Sequence, residues 1–315
     1  METKGKIAII GSGLIGQSWA MIFASASYRV QLFDVVQENV KKALETIEAK
    51  LNDLSSKKLL RGNIPAAKQI SLITGASSLS EVVEGAFYVQ ECVFERLDLK
   101  VKVFADLDAI VSPSTILASS TSCFPPSKFS SELKNRSNVL VAHPVNPPYF
   151  VPLIELVKSP YTSDEITDKA RALMIDVGQK PVVLNKEVQG FAVNRIQYVI
   201  LMECYRLIAD GVISVEDIDA VMSEGLGMRY AFIGPWETAH LNANGMQDYF
   251  DKYADGILRV LDDMGPNRKF EGETAKKIAD QLTKKIPLDK LRDRIKWRDE
   301  NLIALSQVKR RNSSQ

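Results

Sequence analysis

Histidine and cysteine are both scarce in this chain. Two histidines and three cysteines occur in 315 residues, and Cys92, Cys123 and Cys204 form no C-x-x-C pair. A zinc site or a disulfide framework is therefore not expected, and the chain reads as reduced and metal-free. No apolar run approaches the length that spans a bilayer, and a strand-like run already starts at Lys6. The expectations are no membrane association, no room for a targeting peptide, and a cytoplasmic location. Charge of one sign is also lacking: 40 basic against 39 acidic residues leave +1, with no global pull toward nucleic acid. The basic cluster at Lys309–Arg311 reads as a solvated tail. Internal repeats and low-complexity segments are absent too. What remains is 45% hydrophobic and 25% charged, which suits a large core divided between two domains.

The amino-terminal segment carries the first chemical signal. A strand-like run, Lys6–Ile10, leads directly into Gly11, Ser12, Gly13, Leu14, Ile15 and Gly16, and then into a helical stretch, Gln17–Ala24. Strand, glycine turn and helix in this order suit a dinucleotide. Gly11 allows the tight turn, Gly13 lets the backbone approach a pyrophosphate, and Gly16 lets helix pack on strand. A second strand, Arg29–Phe33, ends at Asp34, roughly twenty residues beyond the glycines. A carboxylate there accepts hydrogen bonds from ribose hydroxyls and repels a 2′-phosphate, so the cofactor expected is NAD.

The second signal is His143, with Glu155 twelve positions later. The apolar run Asn138–Ala142 reads as a buried strand presenting His143 at its carboxyl end, the edge where ligands bind in open α/β sheets. Leu153–Val157 reads as a neighbouring strand from which Glu155 points back at the imidazole. Further strands are expected at Gln69–Thr74, Phe87–Cys92, Thr115–Ser119 and Pro181–Leu184. Val40, Leu44, Ile47, Leu51 and Leu54 mark an amphipathic helix, read as a projecting arm. After Gly190 the pattern becomes helical over 191–211, 214–225 and 236–265, with further breaks at Gly272 and Pro287. The expected fold is α/β: a Rossmann-type, doubly wound, mostly parallel sheet over 1–188, then an all-helical domain over 189–315 for substrate and dimerisation.

Five motifs in this order resemble the 3-hydroxyacyl-CoA dehydrogenase superfamily. They are Gly11–Gly16, Phe94–Lys100, Ser120–Cys123, His143–Pro147 and Gly190–Arg195. The resemblance implies an NAD-dependent alcohol dehydrogenase with His143 as general base and Glu155 fixing its tautomer. It also implies Ser122 and Asn194 as polar groups at the reacting oxygen, and Asn146, Glu95 and Lys100 on the cofactor side. Within the superfamily, His143–Tyr149 and Gly225–Pro235 are similar to a sugar-acid branch. That similarity implies oxidation of the 3-hydroxyl of L-gulonate to 3-dehydro-L-gulonate.

Arg229, between glycines in what reads as a loop, suits the carboxylate of a small anionic 3-hydroxy acid through paired hydrogen bonds. A surface arginine is the plainer reading of the same residue. The alternatives are a 3-hydroxyacyl-CoA or carnitine-like substrate, with CoA on the lysines of the arm, and a structural role as a lens crystallin. The superfamily resemblance further implies a homodimer.

Overall fold

The computed structural model describes residues 3–312. Strands β1 (Lys6–Ile10), β2 (Arg29–Phe33), β3 (Ile73–Gly75), β4 (Ala86–Glu91), β5 (Ile116–Ser119), β6 (Val139–Pro144), β7 (Leu153–Lys158) and β8 (Lys180–Leu184) form one sheet. Their order is β3-β2-β1-β4-β5-β6-β7-β8, and every neighbouring pair is parallel except β6 and β7. The interleaved helices are α1 (Leu14–Ser25), α2 (Gln37–Ser56), α3 (Ala66–Ser71), α4 (Leu79–Val83), α5 (Leu97–Asp108), α6 (Ser127–Ser130) and α7 (Asp164–Asp176). This is the doubly wound Rossmann-type architecture expected, and a helical region follows it.

Side-chain alternation along the strands builds two cores. Ile7 and Ile9 of β1, Leu140 and Ala142 of β6, and Ile154 and Leu156 of β7 lie in one cluster with Trp19 and Phe23 of α1 and Met174 of α7. Ala8 and Ile10, Val139 and Val141, and Val157 lie in the other with Phe104 and Leu107 of α5 and Phe129 of α6. Strands buried on both faces lose the polar alternation of a half-exposed sheet, which is why they read as continuous apolar runs. His143 and Glu155 have the strand parity of the second face and are cross-strand partners in the β6–β7 register.

Two expectations for the sheet region are corrected. Gln69–Thr74 is not one strand: α3 ends at Ser71 and β3 starts at Ile73. Pro65 begins that helix as its N-cap, and the buried Gln69 amide donates to Arg61 O and Ile64 O. The short apolar run fits both periods, and these contacts select the helix. Nor is α2 a projecting arm. Val40, Ala43, Ile47, Leu51 and Leu54 are all buried in the core shared with α1.

In the helical region α8 (Val193–Ala209), α9 (Val215–Ala220), α10 (Gly227–Tyr230), α11 (Pro235–Leu241), α12 (Met246–Asp263), α13 (Gly272–Lys285) and α14 (Leu291–Asn312) follow in order. A π-helical turn, Val221–Leu226, joins α9 to α10, so Arg229 stands on a helix and not in a loop. Gly227 keeps helical angles there, and a Cβ at that position would lie 2.6 Å from Met222 O, so the wide turn needs the missing side chain. The expected single helix over 236–265 is interrupted between α11 and α12, where Gly245 has φ +100°. Gly272 begins α13 and does not end a helix.

The chain separates into two compact units, residues 1–195 and 196–315. Among the described residues no helix is long and apolar enough to cross a membrane, and no group of three His, Cys, Asp or Glu could hold a metal ion.

Ile47 is 2% exposed. Ile47→Ala is expected to destabilise the protein by about 2–4 kcal/mol in a denaturant titration, since it leaves a cavity between α2 and the sheet. A change under about 0.5 kcal/mol would match an exposed arm.

Candidate active site

The nucleotide end is built by β1, the glycine turn and α1. Gly11 has φ +102°, and a Cβ there would lie 2.6 Å from Cys92 O, just after β4. At Gly16 a Cβ would come within 2.0 Å of Gly11 O. Both positions thus demand glycine for packing reasons alone. Gly13 differs, because a Cβ there would meet nothing within 4 Å. That open space lies at the N-cap of α1, whose first turn has no acidic residue and whose cap makes no side-chain hydrogen bond. Backbone N–H groups at a helix start facing open space suit a pyrophosphate.

Asp34 follows β2 and is oriented by this turn. Its Oδ2 accepts from Ser12 N at 3.1 Å and Ser12 Oγ at 2.9 Å, and its Oδ1 accepts from Val36 N at 3.1 Å. Burial pushes the Asp34 carboxyl up, but these hydrogen bonds outweigh it and hold it below its ordinary range. An ionised carboxylate so placed fits a ribose diol, and the residues present therefore fit NAD. Leu14 is 57% exposed beside this opening, with Ile15 half-buried.

The chemical end is built by β6, β7 and the start of α8. His143 Nδ1 lies 2.7 Å from Glu155 Oε2, and both side chains are buried. The other oxygen, Oε1, accepts from Ala192 N at 2.8 Å and Val193 N at 3.0 Å. Burial works to raise the Glu155 carboxyl; the bond to His143 and the two peptide donors overcome it and lower it. The anion is therefore retained without contact with water. Phe191, fully buried with φ 53°, places its ring 5.5 Å from the imidazole. With Nδ1 engaged by a carboxylate acceptor, Nδ1 carries a proton and Nε2 is left as the basic nitrogen.

Asn194 and Ser122 are joined directly: Asn194 Nδ2 donates to Ser122 O at 2.7 Å. Ser122 is exposed, and its amide donates to Glu95 Oε1 at 2.9 Å. One hydrogen-bonded set thus contains His143, Glu155, the 192–194 backbone, Asn194, Ser122 and Glu95. Asn146 lies just beyond β6 and is exposed. Arg229 is exposed in the second unit.

Lys100, expected on the cofactor side, is buried against two carboxylates. It is 1% exposed, and its ammonium faces Glu91 Oε1 and Oε2 at 3.0 and 3.1 Å and Glu95 Oε2 at 3.3 Å. Both of its hydrogen bonds go to Glu91, while Glu95 stands at ion-pair distance. Sequence reading also missed Glu91, Thr121 and Phe191. A signal existed for the first: a carboxylate inside the apolar run Phe87–Cys92 must be paired or displaced if that run is a buried strand. Thr121 and Phe191 had none, because their contacts come from chain segments brought together by the sheet.

Residues 6–188 match the family described as 3-hydroxyacyl-CoA dehydrogenase, NAD binding domain, and residues 190–281 match its C-terminal domain. A lambda-crystallin homolog of Rattus norvegicus is 49% identical over 307 residues, covering 97% of this chain and 96% of that protein. An L-carnitine dehydrogenase/betainyl-CoA thioesterase of Agrobacterium fabrum is 32% identical over 302 residues, 95% of this chain and 60% of that protein. The crystal structure of (S)-3-hydroxybutyryl-CoA dehydrogenase from Ralstonia eutropha superposes with a TM-score of 0.66 at 28% identity, covering 79% of this chain and 88% of that one.

Glu155→Gln is expected to cost roughly 1–3 kcal/mol of stability at neutral pH, as the amide cannot both receive the imidazole proton and keep the charge-assisted peptide bonds. The wild-type carboxyl is lowered on folding. Its contribution is therefore complete above the ordinary carboxylate range and lost as pH falls below it. Thermal melts of the two proteins should converge in acid; a gap that stays constant down to pH 3 would contradict the ionised pair.

Proposed function

Because the chain belongs to the 3-hydroxyacyl-CoA dehydrogenase family of NAD-dependent oxidoreductases, we propose that it oxidises the 3-hydroxyl of L-gulonate to 3-dehydro-L-gulonate. The observation that carries the chemistry is the buried His143–Glu155 pair, with Glu155 held ionised by two peptide N–H groups. An aliphatic alcohol does not ionise unaided at neutral pH, so its oxidation needs a base at the hydroxyl. His143 Nε2 takes that proton. Glu155 then faces an imidazolium and stabilises it through Nδ1–H. Ser122 donates its hydroxyl to the substrate oxygen, while Asn194 sets the Ser122 carbonyl and the start of α8. The glycine turn and Asp34 would hold NAD, with Asn146 toward the nicotinamide, and the bound cofactor would supply the hydride acceptor. Removing a base of this kind costs on the order of 10²–10⁴ in rate.

A free sugar acid is favoured over a thioester by the similarity of His143–Tyr149 and Gly225–Pro235 to the sugar-acid branch. Arg229 is the residue assigned to the substrate carboxylate; its planar fork matches two oxygens. A small 3-hydroxy acid of the carnitine kind is the second reading, supported by the 32% identical carnitine dehydrogenase portion. A crystallin role does not compete with catalysis, since the base and its carboxylate are both in place. The assigned location is the cytoplasm.

Initial rates of NADH formation with L-gulonate, L-carnitine and 3-hydroxybutyryl-CoA test the assignment. L-Gulonate should be preferred, and Arg229→Met should raise its KM by about tenfold or more with NADH affinity unchanged. Preference for the thioester would move the protein to the acyl-CoA reaction, and an unchanged KM would remove Arg229 as the anchor.

The working unit is assigned as a homodimer. Phe250, Tyr253, Ile257, Leu258 and Leu261 recur at helical spacing on α12, and all are at least two-fifths exposed. Among the described residues, the buried apolar cluster of that unit contains Ile208, Val215 and Ile218. Light scattering should give twice the 35.0 kDa chain mass, and Leu258→Asp should shift the protein toward the single chain. A wild-type monomer at micromolar concentration would refute this assembly.

A further inference from the structure

Arg61 stands on the connection between α2 and α3 and is 6% exposed. Its guanidinium bridges two distant segments. Nη2 lies 2.9–3.0 Å from Val177 O, Gly178 O and Gln179 Oε1, just past the carboxyl end of α7, and Nη1 donates to Tyr149 O at 3.0 Å. The Arg61 amide also donates to the Tyr149 hydroxyl at 2.9 Å, and Tyr149 is itself buried. A cation suits the end of α7, where the last carbonyls lack helical partners and the helix dipole is negative. That accounts for Nη2. It does not account for Nη1 and the amide, both directed at a residue of the connection between β6 and β7.

Both ends of this strut are fixed by close packing. Gly62 has φ +77°, and a Cβ there would lie 2.0 Å from the carbonyl of Ser25, the last residue of α1. Gln69 Nε2 donates to Arg61 O at 2.7 Å. At the far end Gly178 has φ +75°, and a Cβ there would come 3.1 Å from Arg61 Nη2. The start of β8 grips the same connection, since Gln179 Nε2 donates to Pro148 O at 3.4 Å and Lys180 N to Pro152 O at 2.7 Å. Pro148 and Tyr149 are thereby buried, while Asn146, just beyond β6 and His143, is exposed. We propose that Arg61 is a positioning residue: it ties the Tyr149 peptide to the end of α7 and so sets where Asn146 stands toward the nicotinamide. The Asn146 role rests on the function assigned above; the strut itself does not.

ADP-ribose separates positioning from a general loosening of the fold. It keeps the adenosine, the pyrophosphate and the second ribose but has no nicotinamide, so it reports on the glycine turn and Asp34. In calorimetric titrations of the full chain, Arg61→Met should raise the Kd for NADH by about fivefold or more and that for ADP-ribose by less than about twofold. Asn146→Ala should show the same selectivity. The double variant should lose no more than the larger single one, because the guanidinium acts through Asn146. With substrate and saturating NAD, Arg61→Met should lower kcat by about tenfold, as a displaced nicotinamide leaves the geometry needed for hydride transfer.

Arg61→Lys keeps a cation at the end of α7 but lacks the planar fork that spans both segments. It takes the place of Arg61→Met if that variant fails to fold, with an expected loss of NADH affinity of about threefold at unchanged ADP-ribose affinity. Equal losses for the two ligands, or none for either, would leave Arg61 a structural strut and overturn the proposal. Losses that add in the double variant would overturn it as well, since Arg61 would then act apart from Asn146. If Asn146→Ala alone leaves NADH binding intact, the nicotinamide assignment of Asn146 falls, and the inference falls with it. Neither ligand is turned over in these titrations, so failure of L-gulonate to react leaves them readable.

Discussion

A buried carboxylate constrains the architecture around it. Glu155 has no exposed surface, so each of its oxygens must find a donor within the protein. One oxygen takes the imidazole of His143, which requires β6 and β7 to be antiparallel and in the one register that sets these residues opposite each other. The other takes Ala192 N and Val193 N, which requires the chain to arrive there with two free peptide donors, as the first turn of a helix provides. A shift of one residue along β7 would turn Glu155 into the opposite core and leave the anion unpaired. The reversal of β7 in an otherwise parallel sheet and the starting point of α8 are both tied to this group.

Electrostatic satisfaction extends from there along the carboxyl edge of the sheet. Asn194 joins the start of α8 to Ser122, Glu95 joins Ser122 to α5, and Lys100 joins α5 to the end of β4 through Glu91. The groups that would meet a substrate hydroxyl hang on a continuous polar network whose deepest members are removed from water. Each link is worth only about a kilocalorie net when made and more when broken, because an orphaned buried partner bears its whole desolvation cost. Such a network favours one arrangement of the edge over nearby alternatives, which is what positioning a base and a hydroxyl demands.

Much of the first unit was legible along the chain. The fingerprint residues Gly11, Gly13 and Gly16, followed by Asp34, have meaning through local geometry, so their spacing is enough to read them. The apolar runs of β1, β2, β4, β5, β6 and β7 read as strands because both faces of a doubly wound sheet are dry. The short run at Gln69–Thr74 misled because helix and strand periods cannot be told apart over six residues. There the Gln69 amide, bonded to Arg61 O and Ile64 O, decided in favour of a helix. Arg229 was misplaced for a related reason: glycine weakens a helix without ending it, and Gly227 serves a π turn that no linear pattern announces.

The sequence by itself determined the order of the elements, the nucleotide fingerprint and the identity of the His143–Glu155 pair, because each follows from short spacing or from the chemistry of a rare residue. Only tertiary structure decided what Lys100, Glu91, Thr121 and Phe191 do, since their partners lie on different strands and loops. A lysine on an amphipathic helix looks solvated in one dimension. Whether it is instead buried against two carboxylates depends on which strand lies beneath that helix, and long-range packing alone sets this.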